Sequence, residues 1–310
     1  IMKIKILATL GPSSLNSRTV KKMTKQGVEL FRINLSHTKL KDVKDIVSKI
    51  QLWTDVPVCL DSEGAQIRNQ EMVNELVNYQ KGSTVVIHQK PIIGDSENIS
   101  FTPNNVAQQF QIGDRIRVDF NSVCFLIVEK KQDHLIAIVE EGGHGGSNKA
   151  ADTDGDVTLD PVTPKDREAF KIGLKMGVRN FSLSFTNSAE DVHQIRKVIG
   201  HDTNLISKIE SIKGVLNLEE ILPIVNQILI DRGDLSRDVP IERIAFAQNY
   251  ILKKAENYNT PVYVATNFLE SMINNPKPTR SEINDIVSTL ENGGSGIVLA
   301  AETAIGKFPL

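Results

Sequence analysis

Short runs of apolar, often β-branched residues alternate along the chain with segments whose apolar positions recur at helical spacing. The runs lie at residues 4–10, 30–35, 56–60, 180–185, 204–210, 227–230, 261–265 and 296–300. Strands that alternate with helices pair in parallel, and eight of them can close into a barrel. The pattern therefore predicts an α/β protein built on a (β/α)8 TIM barrel.

Local signals between these runs mark the ends of helices. Three residues have the chemistry of helix N-caps, each with an acidic residue three places further on: Thr163, Ser188 and Thr279. Glycines that would end the helices after Thr163, Ser188 and Thr279 are Gly177, Gly200 and Gly293.

The alternation is interrupted between residues 69 and 159. There, β-type runs at residues 83–88, 115–118, 125–128 and 135–139 are separated by closely spaced turn residues. This is typical of a small antiparallel β-barrel domain inserted after the third barrel strand. We therefore expect the first segment of the barrel at residues 1–68, an inserted β lid domain at 69–158 and the remaining barrel segment at 159–310.

Composition narrows the class of partner. The chain has 310 residues, 40% of them hydrophobic, and a net charge of −2. It can bury a sizeable core and lacks the polycationic signature of nucleic-acid binding, so we expect small-molecule partners. No stretch approaches the roughly 20 apolar residues of a membrane span. Cys59 and Cys124 form no metal-ligand spacing, which favours a reduced, cytoplasmic protein.

Two charged residues at the end of one predicted strand indicate a candidate binding site. Lys208 and Glu210 are two apart, so their side chains share a face of the strand. Asp234 follows the end of the next apolar run. Carboxylates bind hard cations and an ammonium group steadies phosphate charge, so the three predict a cation-and-phosphate site. The alternative is a structural buried Lys–Glu pair.

The histidines are expected to be solvated or structural. They form no metal-ligand spacing along the chain: His88, His134, His144, His193 and His201.

Several motifs, in chain order, resemble those of the pyruvate kinase family. They are residues 32–37 (RINLSH), 60–68 (LDSEGAQIR), 207–210 (SKIE), 231–235 (DRGDL) and 265–272 (ATNFLESM), with residues 276–280 and 302–304. The resemblance covers the barrel from end to end, whereas the inserted domain matches weakly. Because the family usually carries a C-terminal regulatory domain, we expect that domain and the final barrel helix to be absent here.

The resemblance implies roles for the residues of these motifs. Lys208, Arg32 and Thr266 would be catalytic, with Arg32 on the phosphate, Lys208 on the phosphoryl group in transfer and Thr266 beside the enolate. Glu210 and Asp234 would hold Mg²⁺ or Mn²⁺, and K⁺ would lie among Asn34, Ser36, Asp61 and Ser62. The implied substrate contacts are Arg32, Lys208, Gly233, Asp234 and Thr266. The implied nucleotide contacts are Asn34, His37, Arg68 and Lys149.

Strand geometry supports some of these assignments. Arg32, Asn34 and Ser36 occupy alternate positions, so on a continuous strand they would point together into the mouth of the barrel. Each residue alone also has an ordinary alternative: a surface ion pair for Arg32, and capping or turn roles for Asn34, Ser36 and Thr266.

The sequence departs from the family pattern at several positions near this chemistry. Gln66 stands where Glu or Lys distinguishes potassium-dependent from potassium-independent members. The other departures are Ala300 and Ala301 for Ser-Gly, Glu63 for Lys, Asn267 for Gln, Ile305 for Lys, and the pattern of residues 150–155. They affect the expected proton delivery and nucleotide contacts.

The leading hypothesis is a glycolytic, magnesium-dependent phosphotransferase. It would transfer the phosphoryl group between phosphoenolpyruvate and a nucleoside diphosphate such as ADP, giving pyruvate and ATP. One alternative is a magnesium-dependent enolate lyase or aldolase acting on a pyruvate-like acid. Another is a catalytically weak binding or regulatory domain. We expect no nucleic-acid or membrane partner, and a homo-oligomer remains open.

Overall fold

The computed structural model describes residues 4–119 and 121–310. Contacts divide the chain into two compact units. The first comprises the described residues up to Gly64 together with Pro161–Leu310, and the second comprises Ala65–Asp160. The division lies a few residues from the domain limits expected from the sequence, at 68/69 and 158/159.

The strands are numbered along the chain. The first unit begins with β1 (Lys5–Thr9), β2 (Val28–Asn34) and β3 (Val58–Asp61). The second unit contributes β4 (Ile67–Asn69), β5 (Val77–Tyr79), β6 (Thr84–His88), β7 (Asn98–Thr102), β8 (Arg115–Val118), β9 (Val123–Lys130), β10 (His134–Glu141), β11 (Gly143–Gly145) and β12 (Ala150–Thr153). The chain returns to the first unit with β13 (Asn180–Leu183), β14 (Asn204–Ile209), β15 (Gln227–Asp231), β16 (Val262–Ala265) and β17 (Gly296–Leu299).

The helices are numbered in the same way. They are α1 (Ser17–Lys25), α2 (Val43–Trp53), α3 (Val106–Gln109), α4 (Pro164–Lys175), α5 (Ala189–Ile199), α6 (Ile212–Leu216), α7 (Leu218–Ile221), α8 (Arg232–Leu235), α9 (Ile244–Asn257), α10 (Arg280–Glu291) and α11 (Ala301–Ala304). Short 3-10 segments lie at Leu35–His37, Leu40–Asp42, Leu222–Ile224, Ile241–Arg243 and Glu270–Ile273.

The predicted helix starts are confirmed. The Thr163 side chain accepts the N–H of Asp166 at the start of α4. Ser188 and Thr279 each form a reciprocal capping box, at the starts of α5 and α10. The predicted stops also hold, because Gly200 is the C-cap of α5 and the glycines just past α4 and α10 have positive φ.

Eight parallel strands close the barrel of the first unit, in the order β1-β17-β16-β15-β14-β13-β3-β2. β3 pairs directly with β13, so the barrel closes across the point where the second unit is inserted. The predicted (β/α)8 barrel is confirmed. Its strands are all parallel, so their carboxyl ends meet at one rim, where active sites of this fold lie.

The barrel interior determines which polar residues reach this rim. A small apolar cluster with members on seven of the eight strands is separate from the larger core under the helices; it consists of Leu7, Leu30, Cys59, Ile206, Leu229, Tyr263, Ala265 and Val298. Side chains two positions further along a strand share the same face. The interior therefore contains, two positions closer to the carboxyl rim than this cluster, four charged residues: Arg32, Asp61, Lys208 and Asp231.

The second unit is a closed seven-stranded barrel, in the order β10-β6-β7-β4-β12-β8-β9, with a separate two-stranded β5–β11 sheet. Its pairings are antiparallel as expected, apart from β6 and β7, which run parallel. The four predicted β runs correspond to β6, β8, β9 and β10. The sequence pattern did not predict short strands such as β4, which places Ile67 and Arg68 in this unit. The unit has its own apolar core.

Among the helices of residues 4–119 and 121–310, none combines the length and the apolar character needed to cross a membrane.

Candidate active site

The ammonium group of Lys208 lies at the centre of a buried charge cluster. Lys208 is 4% exposed. Its Nζ lies 2.8 Å from Glu210 Oε1, 3.5 Å from Asp61 Oδ2 and 4.0 Å from Asp231 Oδ2. It also donates to the hydroxyl of Ser184 at 3.1 Å. The ammonium group is thus shared among carboxylates from three different strand ends.

Arg32 extends this cluster onto the neighbouring strand. Its Nε lies 2.9 Å from Asp61 Oδ2, so the Asp61 carboxylate bridges the guanidinium group and the Lys208 ammonium group. Two buried atoms of this pair, Arg32 Nη1 and Asp61 Oδ1, have no hydrogen-bond partner within the described portion of the chain. A buried N–H donor without an acceptor suits an anion, and a buried carboxylate oxygen without a donor suits a cation.

A third carboxylate joins the two predicted metal ligands. One oxygen from each of Glu210, Asp231 and Asp234 lies within 4.8 Å of the others. Hard divalent cations take such oxygen ligands. Carboxylates outnumber cations at this rim even when Arg237, 3.5 Å from Asp234, is included. The donor set therefore fits Mg²⁺ or Mn²⁺.

Burial and like charges shift the ionisation of these groups. Burial raises the pKa of Glu210 to about 8, with Lys208 opposing the shift and the carboxylates of Asp234 and Asp231 adding to it. Burial and Asp231 likewise raise the pKa of Asp234. Burial would lower the pKa of Lys208, but the surrounding carboxylates outweigh it and raise that pKa. The cluster therefore favours an added positive charge.

Thr266 closes the site on the side of β16. Its backbone is left-handed, with φ 71°, as is that of the next residue, Asn267. Its hydroxyl accepts the Gly233 N–H at 2.9 Å and lies 3.3 Å from Asp231 Oδ1. The structure therefore brings Thr266 and Gly233 to the acidic cluster. Non-glycine residues in this conformation are strained, and such strain concentrates at functional sites.

A buried carboxylate at the start of α4 holds the loop after β3. Asp166, fully buried in the first turn of α4, accepts the N–H groups of Glu63 at 2.8 Å and Gly64 at 3.1 Å. Burial raises the pKa of Asp166, while these hydrogen bonds lower it. The neighbouring Lys165 lies 2.8 Å from Glu63 Oε2 and donates to Leu35 O at 2.6 Å. The start of α4 thus positions the segments that follow β2 and β3.

The residues predicted to surround K⁺ lie at the ends of β2 and β3 and in the segments that follow them. Asn34 and Asp61 are register partners on β2 and β3. Ser62 lies in the loop after β3, where its hydroxyl accepts the Ser184 N–H. The expectation that Ser36 continues the strand alternation is wrong, because β2 ends at Asn34. Ser36 lies in the Leu35–His37 turn, and its N–H donates to Asn34 Oδ1 at 2.9 Å.

The residues predicted to contact the nucleotide lie in both units. His37 is exposed at the end of the Leu35–His37 turn of the first unit. Arg68 and Lys149 belong to the second unit. There, Arg68 donates to Asn148 O and Gln66 Oε1, and Lys149 Nζ lies 3.1 Å from Asp119 Oδ2. Their role toward a nucleotide stays a prediction.

Sequence reasoning missed three residues of the site: Asp231, Ser184 and Asp166. Asp231 was detectable, because it ends β15 two positions beyond the interior residue Leu229. Ser184 follows β13 by the same alternation from Ser182. Asp166 was predicted only as a helix-capping acid, and nothing local shows that its carboxylate reaches the loop after β3.

The fold and this cluster define a (β/α)8-barrel protein with a buried cation between carboxylates at the carboxyl rim of its strands. The family described as pyruvate kinase, barrel domain, matches residues 1–310. The chain therefore belongs to the pyruvate kinase family.

Individual relatives agree with this assignment. Pyruvate kinase of Thermotoga maritima is 33% identical over 317 residues, covering 99% of this chain and 68% of that protein. Pyruvate kinase of Thermoplasma acidophilum is 33% identical over 313 residues, covering 100% of this chain and 56% of that protein. Plastidial pyruvate kinase 3, chloroplastic, of Arabidopsis thaliana is 31% identical over 318 residues, covering 99% and 56%. The chain thus spans between about half and two thirds of the length of these curated relatives.

Proposed function

We propose that the chain is a pyruvate kinase-like phosphotransferase acting between phosphoenolpyruvate and a nucleoside diphosphate, with pyruvate and a nucleoside triphosphate as products. The observation that carries the proposal is the buried Lys208 ammonium group beside the carboxylates of Glu210, Asp231 and Asp234. This arrangement combines a cation for phosphate charge with ligands for a divalent metal. Phosphoryl transfer depends mainly on such positioning and electrostatic stabilisation.

Two cations act on the phosphoryl group in this proposal. Arg32 binds the phosphate through the guanidinium edge that carries Nη1, the buried donor without a partner. Lys208 belongs to the same cluster and neutralises charge on the group in transfer. Asp61 holds both cations in place.

The carboxylates of Glu210, Asp231 and Asp234 would hold Mg²⁺ or Mn²⁺. When bound, that ion neutralises charge on the phosphoryl oxygens. A potassium ion would use the unpartnered Asp61 Oδ1 with oxygens of Asn34, Ser36 and Ser62. The mixture of carboxylate, amide and hydroxyl oxygens suits a hard cation.

The Thr266 hydroxyl hydrogen-bonds the enolate and assists proton delivery to it through water. Its contacts with Asp231 and the Gly233 N–H hold it beside the acidic cluster. Ala300 has no hydroxyl to share this task. The role of Thr266 is therefore larger than it would be with a serine at position 300.

Asn34 and His37 of the first unit are the proposed nucleotide contacts of the barrel. The roles of Arg68 and Lys149 of the second unit rest on the family resemblance alone. A place in glycolysis and a location in the cytoplasm belong to the same proposal.

Enolate chemistry without a nucleotide is the second candidate. It is favoured by the ion pair of Lys149 with Asp119, since Lys149 was predicted to reach the nucleotide phosphates. It is also favoured by Glu63, a carboxylate where the family carries a lysine. A lyase or aldolase would keep Lys208 and the acidic cluster.

The test is pyruvate release from phosphoenolpyruvate in the presence of Mg²⁺ and several nucleoside diphosphates, with and without K⁺. We expect nucleotide-dependent pyruvate formation that falls by roughly 10³-fold or more in Lys208→Met. Lys253→Met, an exposed lysine of α9, serves as the matched control and should retain full activity. Turnover that does not depend on the nucleotide would instead support the second candidate.

A binding experiment distinguishes a correctly assigned but inactive site from a site that was assigned wrongly. Oxalate mimics the enolate, and calorimetry should show oxalate binding that depends on Mg²⁺ and is weakened in Glu210→Gln. Circular dichroism of this variant should match the unchanged protein. Absence of both turnover and magnesium-dependent oxalate binding would overturn the proposal.

A further inference from the structure

Two histidines of the second unit face each other across a strand pair. His88 ends β6, His134 begins β10, and the two are direct partners in the antiparallel ladder. Gln89 N donates to Asp133 O at 3.4 Å, so the adjacent His88–His134 pair is of the non-hydrogen-bonded type, in which side chains approach more closely. Their ring centroids lie 6.5 Å apart with a tilt of 32°.

The proton position on His88 follows from its hydrogen bonds. Asn98 Nδ2 donates to Asp95 Oδ1 at 3.1 Å, which orients the amide so that Asn98 Oδ1 faces His88 Nε2 at 3.0 Å. An amide oxygen only accepts, so Nε2 carries the proton. The other nitrogen of the neutral ring, Nδ1, therefore presents a lone pair, and no described residue hydrogen-bonds to it.

His134 has the same arrangement with the two nitrogens exchanged. Its Nδ1 lies 2.7 Å from the carboxylate of Asp133. This hydrogen bond lowers the pKa of Asp133, as expected of an acceptor that stays ionised. Nε2 of the neutral ring is left with the lone pair, again without a hydrogen-bond partner in residues 4–119 and 121–310. Both rings are half-buried and reachable from solvent.

We propose that His88 Nδ1 and His134 Nε2 bind a divalent transition-metal ion of the zinc, copper or nickel class. Imidazole nitrogens suit these ions, whereas Mg²⁺ prefers oxygen. Metal-binding histidines typically donate their other N–H to a carboxylate or amide oxygen, as Asp133 and Asn98 accept here. Water would occupy the remaining coordination positions.

The ring separation is compatible with this proposal. Metal–nitrogen bonds of about 2.0–2.1 Å place two rings on one ion with centroids roughly 5–6 Å apart. The observed 6.5 Å is slightly larger, so the proposed site requires small side-chain rotations that bring the two lone pairs onto a common ion. The expectation that the histidines form no metal site came from their spacing along the chain, which hides a pair formed between strands.

The experiment titrates the full chain with Zn²⁺ by calorimetry and with Cu²⁺ by electron paramagnetic resonance, in a large excess of Mg²⁺. Magnesium occupies the oxygen ligands of the barrel rim and leaves imidazoles free. We expect one tight ion per chain, with nitrogen couplings from two imidazoles. His88→Ala and His134→Ala should each weaken binding at least tenfold and remove one coupling. His201→Ala, at an exposed histidine of the first unit, is the matched control and should change neither.

A supporting variant tests the orienting carboxylate. Asp133→Asn keeps both imidazoles but replaces the charged acceptor of the His134 N–H, and loss of such an orienting partner weakens metal binding about tenfold or more. Binding should also weaken on acidification, since protons compete for the same nitrogens. Circular dichroism identifies any variant that fails to fold, and His88→Gln and His134→Gln then replace the alanine variants.

Unchanged Zn²⁺ affinity in both histidine variants, or a Cu²⁺ spectrum with oxygen ligands alone, would overturn the proposal. The readout is metal binding, so it stands apart from phosphotransfer. Loss of turnover in Lys208→Met tests the rim and should leave the Zn²⁺ isotherm unchanged.

Discussion

Lys208 and Glu210 form an ion pair of 2.8 Å inside the barrel, with both side chains almost completely buried. Their charges come from one strand, two residues apart, and point the same way. A buried ion pair adds little net stability, but removal of one partner leaves an uncompensated charge. Variants of either residue therefore report on folding as well as on chemistry.

Lys208→Met should lower the free energy of unfolding by about 3 kcal/mol at neutral pH, because the carboxylates of Asp61 and Asp231 lose the buried cation that they share. Added Mg²⁺ should restore some of this loss, since an ion that binds only the folded state stabilises it. Urea unfolding with and without Mg²⁺ gives both quantities. Lys253→Met should stay within about 0.5 kcal/mol of the unchanged protein. A loss below about 1 kcal/mol would contradict the ion-pair assignment.

Asp166→Asn should destabilise the protein by about 2 kcal/mol, because hydrogen bonds to a charged group contribute roughly 1.5–3 kcal/mol and an amide accepts at one atom only. Potassium affinity should fall as well, since the loop after β3 carries Ser62, a proposed potassium ligand. Thermal unfolding and calorimetry measure the two effects. Asp55→Asn, at an exposed aspartate of the same unit, should show neither, and equal behaviour of the two variants would rule out this role.

Gly64→Ala and Gly27→Ala separate backbone strain from steric overlap. Both glycines have positive φ, of 76° and 95°. A Cβ at Gly64 would lie 2.6 Å from Ser184 Cβ, whereas nothing lies within 4 Å of a Cβ at Gly27. Gly27→Ala should cost about 1 kcal/mol from strain alone.

Gly64→Ala should add roughly 1–3 kcal/mol of overpacking. It should also reduce activity, because it displaces the Ser184 hydroxyl that accepts from Lys208. Unfolding curves and the pyruvate assay measure these effects. Equal losses of stability in the two variants would mean that Ser184 moves aside at no cost in free energy and that no overpacking occurs.

Glu282 should make stability depend on acid pH. Its partial burial opposes ionisation, yet hydrogen bonds from Ser271 and Thr279 lower the pKa of Glu282 from an ordinary 4.5 to about 2. The unfolded chain therefore binds a proton first as pH falls. The contribution of Glu282 is complete above the ordinary pKa of 4.5 and is lost progressively toward pH 2.

Glu282→Gln should lose about 1–2 kcal/mol at neutral pH, as for the loss of a helix cap. Between pH 4.5 and 2 its stability should fall less steeply than that of the unchanged protein. Urea unfolding across this range measures both slopes, and parallel slopes would show that Glu282 ionises normally in the folded state.

The local sequence pattern was sufficient to predict much of the fold. The apolar runs identified all eight barrel strands, and the cap residues Thr163, Ser188 and Thr279 marked true helix starts. Both signals act over a few residues, so sequence alone contains them. Short strands such as β4 and β12 carry too few residues to show a period, and they gain stability only by pairing with neighbours.

The site was partly predictable for the same reason. The spacing of Lys208 and Glu210 requires a shared face once a strand is present, and Asp234 follows the next strand. Ser36 shows the limit of that reasoning, since the strand ends at Asn34 and the side chain of Asn34 binds the Ser36 backbone instead.

The sequence by itself determined where strands and helices form, because hydrophobic period and capping are local properties, and it indicated which strand ends carry charge. Only the tertiary structure decided that Asp61 bridges Arg32 and Lys208, that Asp166 holds the loop after β3, and that His88 faces His134. These contacts join segments far apart in the chain. Their geometry follows from strand register and barrel closure, and the raised pKa of Glu210 follows from burial, which no local pattern specifies.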